Sequence, residues 1–182
     1  MYSIEFDELK WINTYLEPEY LLNKNDLEHL KTFAFMWDMF EAKACDGVAN
    51  AQAIANFIEE KLKVSKENTA SSVIDAYYSH FNKRYIENGK PNAIFERMTM
   101  NVTETFKLDE KEVCVKEYIQ NTLLSSKTTE RDRFLATLLI IYRLRSNFFL
   151  RSKNVIKVNQ QYKNFSLGNQ IIALVLNMYK GK

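Results

Sequence analysis

Apolar residues recur at intervals of three and four along almost the whole chain, and this spacing limits what the chain can become. At 3.6 residues per turn, such positions form one stripe on a helix, whereas a half-buried strand needs strict alternation. Glycine and proline reinforce the point: four and two of 182 residues is far below their usual share. So few turn formers argue against a many-turned β-sandwich and against a glycine-rich nucleotide-binding loop. The chain is 46% hydrophobic and 26% charged, which suits a folded domain with a sizeable core.

The expected fold class is therefore all-α: a single helical-bundle domain of about seven helices covering 1–182. A first helix is expected over Ser3–Leu16, stopped by Pro18. Asn25 or Asp26 is placed as the cap of a second, which carries Leu27, Leu30, Ala34, Trp37, Phe40 and Ala44 and closes at Gly47. A third runs from Asn50 to Val64 and packs Ile54, Phe57, Ile58 and Leu62. A fourth starts near Thr69 and ends at Asn88-Gly89, read as a helix C-cap. Lys90-Pro91 makes a break before a short helix over Asn92–Arg97. Residues 101–106 alternate weakly, without an obvious strand partner. Asp109 is read as the cap of a helix through Val113, Val115, Tyr118, Ile119 and Leu123. Thr128 or Thr129 opens a long apolar helix ending near Phe149, and a last helix passes through Tyr162, Phe165, Ile171, Leu174, Val175 and Met178.

Several classes of chemistry find little support. His29 and His80 lie far apart, and Cys45 and Cys114 lack the spacing of metal ligands, so neither metal nor cofactor is expected. The cysteines read as reduced core residues. Glu5, Asp7 and Glu8 within the first ten residues do not resemble a signal peptide, and the apolar run Phe134–Tyr142 is too short for a bilayer. A cytoplasmic protein with no membrane contact is the expectation.

Charge is distributed unevenly. Asp132 is the last acid; the nine charged residues after it are all basic. A fifty-residue stretch without a carboxylate suits phosphate contacts, although acids earlier in the same fold, or in a second subunit, would neutralise it as well. Within this stretch Phe134, Leu138, Ile141, Arg145 and Phe148 share one helical face, with Arg143 nearly opposite. An arginine inside an apolar stripe needs a counter-charge, a subunit interface or a bound anion. Glu41 or Asp38 would serve as the counter-charge.

Tyr142, Arg143, Arg145, Ser146, Asn147, Phe149 and Lys153, followed by Gln161, Phe165 and the apolar run 171–176, resemble the signature of the HEPN superfamily. These are small helical proteins, many of them ribonucleases of toxin–antitoxin and antiphage systems. The resemblance covers the core at about 128–180. It implies a homodimer paired at the motif helix, with RNA, an antitoxin or another protein as partner. It also implies metal-independent RNA cleavage in which the arginine holds the phosphate and a histidine moves the proton. Leu150 stands where that histidine belongs, and Arg151 where a glycine usually follows. Leucine transfers no proton, and losing a general base costs about 10²–10⁴ in rate. The first reading is thus a non-catalytic RNA- or protein-binding module, with Arg143, Arg145, Asn147, Arg151, Lys153 and Lys157 as binding residues. The second is a ribonuclease whose histidine is replaced or was removed. A third is a structural helical subunit.

Overall fold

A computed structural model of the chain describes residues 6–16, 18, 21–67, 72–149 and 158–181. The helices are α1 (Glu8–Asn13), α2 (Lys24–Ala44), α3 (Ala51–Asn56), α4 (Asp75–Tyr85), α5 (Ala93–Met98), α6 (Val115–Leu124), α7 (Glu130–Phe149) and α8 (Val158–Lys180). A π-helical turn, Phe57–Lys61, continues α3. Two antiparallel hairpins complete the set: β1 (Ile86–Glu87) with β2 (Lys90–Pro91), and β3 (Thr105–Leu108) with β4 (Lys111–Cys114).

The chain is mostly helical, and the all-α expectation needs correcting at both hairpins. Asn88 and Gly89, at φ 52° and 70°, do not cap α4; they form the two-residue turn between β1 and β2. Asp109 does not cap a helix either. With Glu110 it turns β3 into β4, and α6 begins six residues later, at Val115. Other boundaries move as well. Asn23, not Asn25 or Asp26, caps α2, and its side chain accepts the Asp26 N–H at 2.9 Å while Asp26 accepts the Asn23 N–H at 3.1 Å. Ser3 and Thr69 themselves lie outside the described residues, but the helices expected from them begin later, at Glu8 with Asp7 as its cap and at Asp75.

Other local signals act as expected. Asn50 caps α3 through the Ala53 N–H, and Asn92 caps α5 through Ile94 and Phe95. Thr129 and Asp132 bond each other's backbone N–H at 3.1 Å and so set the start of α7. Where α6 ends, α4 supplies the partners: Tyr78 donates its hydroxyl to the Thr122 carbonyl at 2.7 Å, and Asn82 bonds that of Leu123.

Helix α7 is the centre of the molecule. Phe134, Leu135, Ala136, Leu138, Leu139, Ile140 and Ile141 are all 0% exposed. A helix that is apolar all round lies in the interior, which here takes contacts from α3, the π-turn, α4, α5, α6 and α8. Helices α2 and α8 pack along each other, and Gly168 lets them close. A Cβ at that position would stand 2.8 Å from the Phe33 ring and 3.5 Å from Ile141. Gly168→Ala is expected to destabilise the fold by about 1–3 kcal/mol through overpacking, read by urea unfolding.

Candidate functional site

The second half of α7 leaves the core and carries the polar residues singled out in the sequence. Tyr142 is half-buried. Its ring stacks on Trp37 at 6.2 Å and 22°, and its hydroxyl donates to Glu104 Oε2 at 3.0 Å. The other Glu104 oxygen accepts the Ala51 N–H at 2.9 Å, so this carboxylate ties the start of α3 to α7. Burial and the neighbouring Glu104 charge hold the tyrosine hydroxyl above its ordinary pKa, so it stays a neutral donor.

Arg143 is only 7% exposed, which corrects the expectation that it points away from the apolar face. Its Nη2 donates to Asn147 Oδ1 at 3.2 Å, one helical turn on. Asn147 then donates from Nδ2 to the Met98 carbonyl at 2.7 Å. Met98 is the last residue of α5, whose closing carbonyls have no partner within their own helix. Arg143 and Asn147 thus act as one unit that pins the end of α5 to α7. Arg145, in contrast, is partly exposed in the same segment. Leu150, Arg151, Lys153 and Lys157 lie outside the described residues.

Beside this pin opens a cleft of about 450 Å³, lined by Glu96, Arg97, Thr99, Met100, Asn101, Val102 and Lys116. Lys116 Nζ bonds Glu96 Oε2 at 2.6 Å. Sequence reasoning missed this cleft, since Lys116 reaches residues 96–102 only because the β3–β4 hairpin folds back. Glu104 was missed for the same reason.

The beginning of α7 is held by charge. Arg131 Nη1 bonds Glu59 Oε1 at 2.9 Å and Asp109 Oδ2 at 2.7 Å, and Lys66 reaches the same two carboxylates at 3.1 and 2.8 Å. Arg133 pairs with Asp75 at 2.7 Å. Earlier acids of the chain thus neutralise at least Arg133 of the basic stretch, as one of the two sequence readings allowed.

The histidines sit elsewhere, on α2 and α4, and both cysteines are free. Burial pushes the Cys45 thiol up to about 12, so it is not a thiolate near neutral pH. Among the described residues, no three His, Cys, Asp or Glu side chains come together as metal ligands, and no helix is long and apolar enough to cross a membrane. Comparison with family models, curated proteins and solved structures finds no match to this chain.

Proposed function

We propose that this chain is a non-catalytic, HEPN-like module that binds single-stranded RNA through the basic end of α7. One observation carries the reading. The motif's Tyr142, Arg143 and Asn147 are committed to bonds inside the chain, and α7 holds no histidine and no carboxylate after Asp132. Arg145, which is partly exposed, can hold a phosphate, but the segment offers no group to move a proton. Arg97 lines the adjoining cleft, where Lys116 is paired with Glu96. A homodimer belongs to the same reading; residues 134–141 are enclosed by their own chain and lie outside its interface. A defence setting with an antitoxin-like partner belongs to the same reading.

Fluorescence anisotropy with a labelled single-stranded RNA tests this. For about four neutralised phosphates, raising salt from 50 to 200 mM is expected to weaken binding roughly fiftyfold. Arg145→Ala is expected to weaken it about tenfold at the lower salt. No 2′,3′-cyclic phosphate ends are expected from the parent chain without divalent metal. Binding that ignores salt overturns the proposal. Metal-independent cleavage that Arg145→Ala abolishes overturns its non-catalytic part and establishes the ribonuclease reading.

A further inference from the structure

Helix α2 buries Phe33, Trp37, Phe40 and Ala44 in the core, and these positions form a single stripe along it. On the far side of the helix, about half a turn from that stripe, stand Phe35, Met39 and Ala42, all exposed. Three aromatic side chains lie on and around α1. The Phe6 and Trp11 ring centroids are 6.1 Å apart, and those of Trp11 and Tyr15 are 4.9 Å apart. Helix α1 is folded back along the first half of α2. The Asn13 side chain exchanges two hydrogen bonds of 2.9 Å with the Leu22 backbone, and Glu8 pairs with Lys31. Phe6, Trp11, Tyr15, Phe35 and Met39 are between 38% and 73% exposed. At roughly 150–250 Å² for a whole aromatic side chain, these five leave about 600 Å² of apolar surface on α1 and α2. That is at the upper end of what a folded chain leaves uncovered.

The charges around the α2 stripe indicate what covers it. Lys31 and Asp38 flank Phe35 on one edge, four residues before it and three after. Glu28 and Lys43 border the two ends, seven before and eight after. Each pair is opposite in sign and nearly symmetric about Phe35. Neither can meet within one chain, because seven helical residues span about 10 Å and fifteen about 22 Å. Asp38 and Lys43 are exposed and make no ion pair among the described residues. An antiparallel second copy of α2, with the two-fold axis at Phe35, sets Lys31 against the partner's Asp38 and Glu28 against the partner's Lys43, each twice. A parallel copy instead sets Glu28 against the partner's Glu28. The antiparallel arrangement also lays the exposed second half of α2 against the α1 aromatics of the other copy. The area agrees: about 600 Å² from each copy reaches the roughly 1,200 Å² at which specific interfaces begin.

We propose that the outer face of α2, centred on Phe35, is the surface through which two copies of this chain pair in antiparallel fashion. Phe35 and Met39 are the apolar anchors, and the α1 rings widen the contact. The Lys31–Asp38 and Glu28–Lys43 pairs add little affinity; they fix register and direction. The surface uses none of the α7 motif residues and does not rest on the RNA reading.

The test is the mass of the full chain by sedimentation equilibrium over a range of concentrations. A reversible monomer–dimer equilibrium is expected for the parent. Phe35→Glu changes an exposed side chain, so circular dichroism is expected to show an unchanged fold. It sets two carboxylates against each other on the axis and is expected to weaken the dimer by about a hundredfold or more. Glu28→Lys and Lys43→Glu are each expected to weaken it about five- to tenfold. The double variant is expected to return to within about twofold of the parent, a rescue that reads a contact between copies. A parent chain that stays monomeric overturns the proposal, including one that binds lipid vesicles or another protein through this face. A dimer that Phe35→Glu leaves intact also overturns it, and places the pairing elsewhere on the chain. A double variant weaker than either single variant overturns the antiparallel arrangement. RNA binding that fails while the α2 dimer behaves as expected refutes the α7 reading alone.

Discussion

Trp37→Ala is expected to lower stability by about 3–5 kcal/mol, among the largest effects of any single substitution in this chain. Trp37 is 1% exposed on α2 and meets three rings: Phe33 at 6.5 Å, Phe40 at 5.4 Å and Tyr142 at 6.2 Å. Nothing near it can collapse into the space, because Phe33 is already wedged against Gly168 and Phe165. A domain's whole stability is only about 5–15 kcal/mol, so the variant is marginal at best. Trp37→Phe separates two contributions. It gives up part of the ring packing but also removes the buried Nε1–H, which has no partner among the described residues. An unsatisfied buried donor costs about 1–3 kcal/mol, which offsets part of the packing loss. The phenylalanine variant is therefore expected to lose less than about 1.5 kcal/mol. Urea unfolding followed by circular dichroism checks both. A cost below about 1 kcal/mol for alanine would mean that α2, α7 and α8 do not share one rigid core. The same substitution bears on the site, since it removes the ring on which Tyr142 rests.

The helices were legible in the sequence because their signal is periodic and long. The helix starts at Asn50, Asn92 and Thr129 were legible, and each side-chain oxygen there caps its helix. The hairpins were not, and the reason is physical. Asn88-Gly89 supplies positive φ, which a helix C-cap and a tight hairpin turn need equally. What decides between them is whether the next residues run back along the chain, and Ile86 pairing with Pro91 is a tertiary fact. The motif segment was legible as a helix, but not as to which of its arginines is buried. A single stripe assigns Arg145 to the inner face and Arg143 to the outer one. Residues 134–141 are covered on every side, so no outer face exists there, and Arg143 emerges against α5. The cleft at residues 96–102 and the Tyr77–Gln170 bond between α4 and α8 involve contacts distant in sequence, which no local pattern encodes.

Arg131→Ala is expected to cost about 2–4 kcal/mol, because it breaks a partly buried charge network and releases a strained turn together. The Arg131 side chain is 10% exposed and joins the π-turn at Glu59 to the hairpin at Asp109. Without it both carboxylates depend on Lys66, whose side chain is 58% exposed and whose pairs are therefore worth little. The backbone adds to the loss. Asp109 and Glu110 take φ 46° and 64° with no glycine at either place, a conformation that L-residues avoid. Arg131 holds the first of these by its carboxylate, so the bond that closes the network also stabilises the turn. Arg131→Met keeps most of the volume but leaves the part-buried Glu59 to the exposed Lys66 alone, and is expected to cost nearly as much as alanine. Adding Glu59→Leu removes that weakly paired charge and is expected to recover at least half of the loss. The acid limb gives an independent readout. Lys66, and after it Arg131, hold the Asp109 carboxyl below its ordinary value of 3.8. The stability tied to that shift is complete above the ordinary value and is lost as pH falls through the lower folded one. Urea midpoints measured from pH 5 down to pH 2.5 are expected to fall less steeply in Arg131→Ala than in the parent. Parallel acid limbs, with equal loss for Arg131→Ala and the Met–Leu double variant, would show that Arg131 acts by packing and not by charge. The distinction matters for α7, since this network anchors the start of the same helix whose far end carries Arg143 and Arg145.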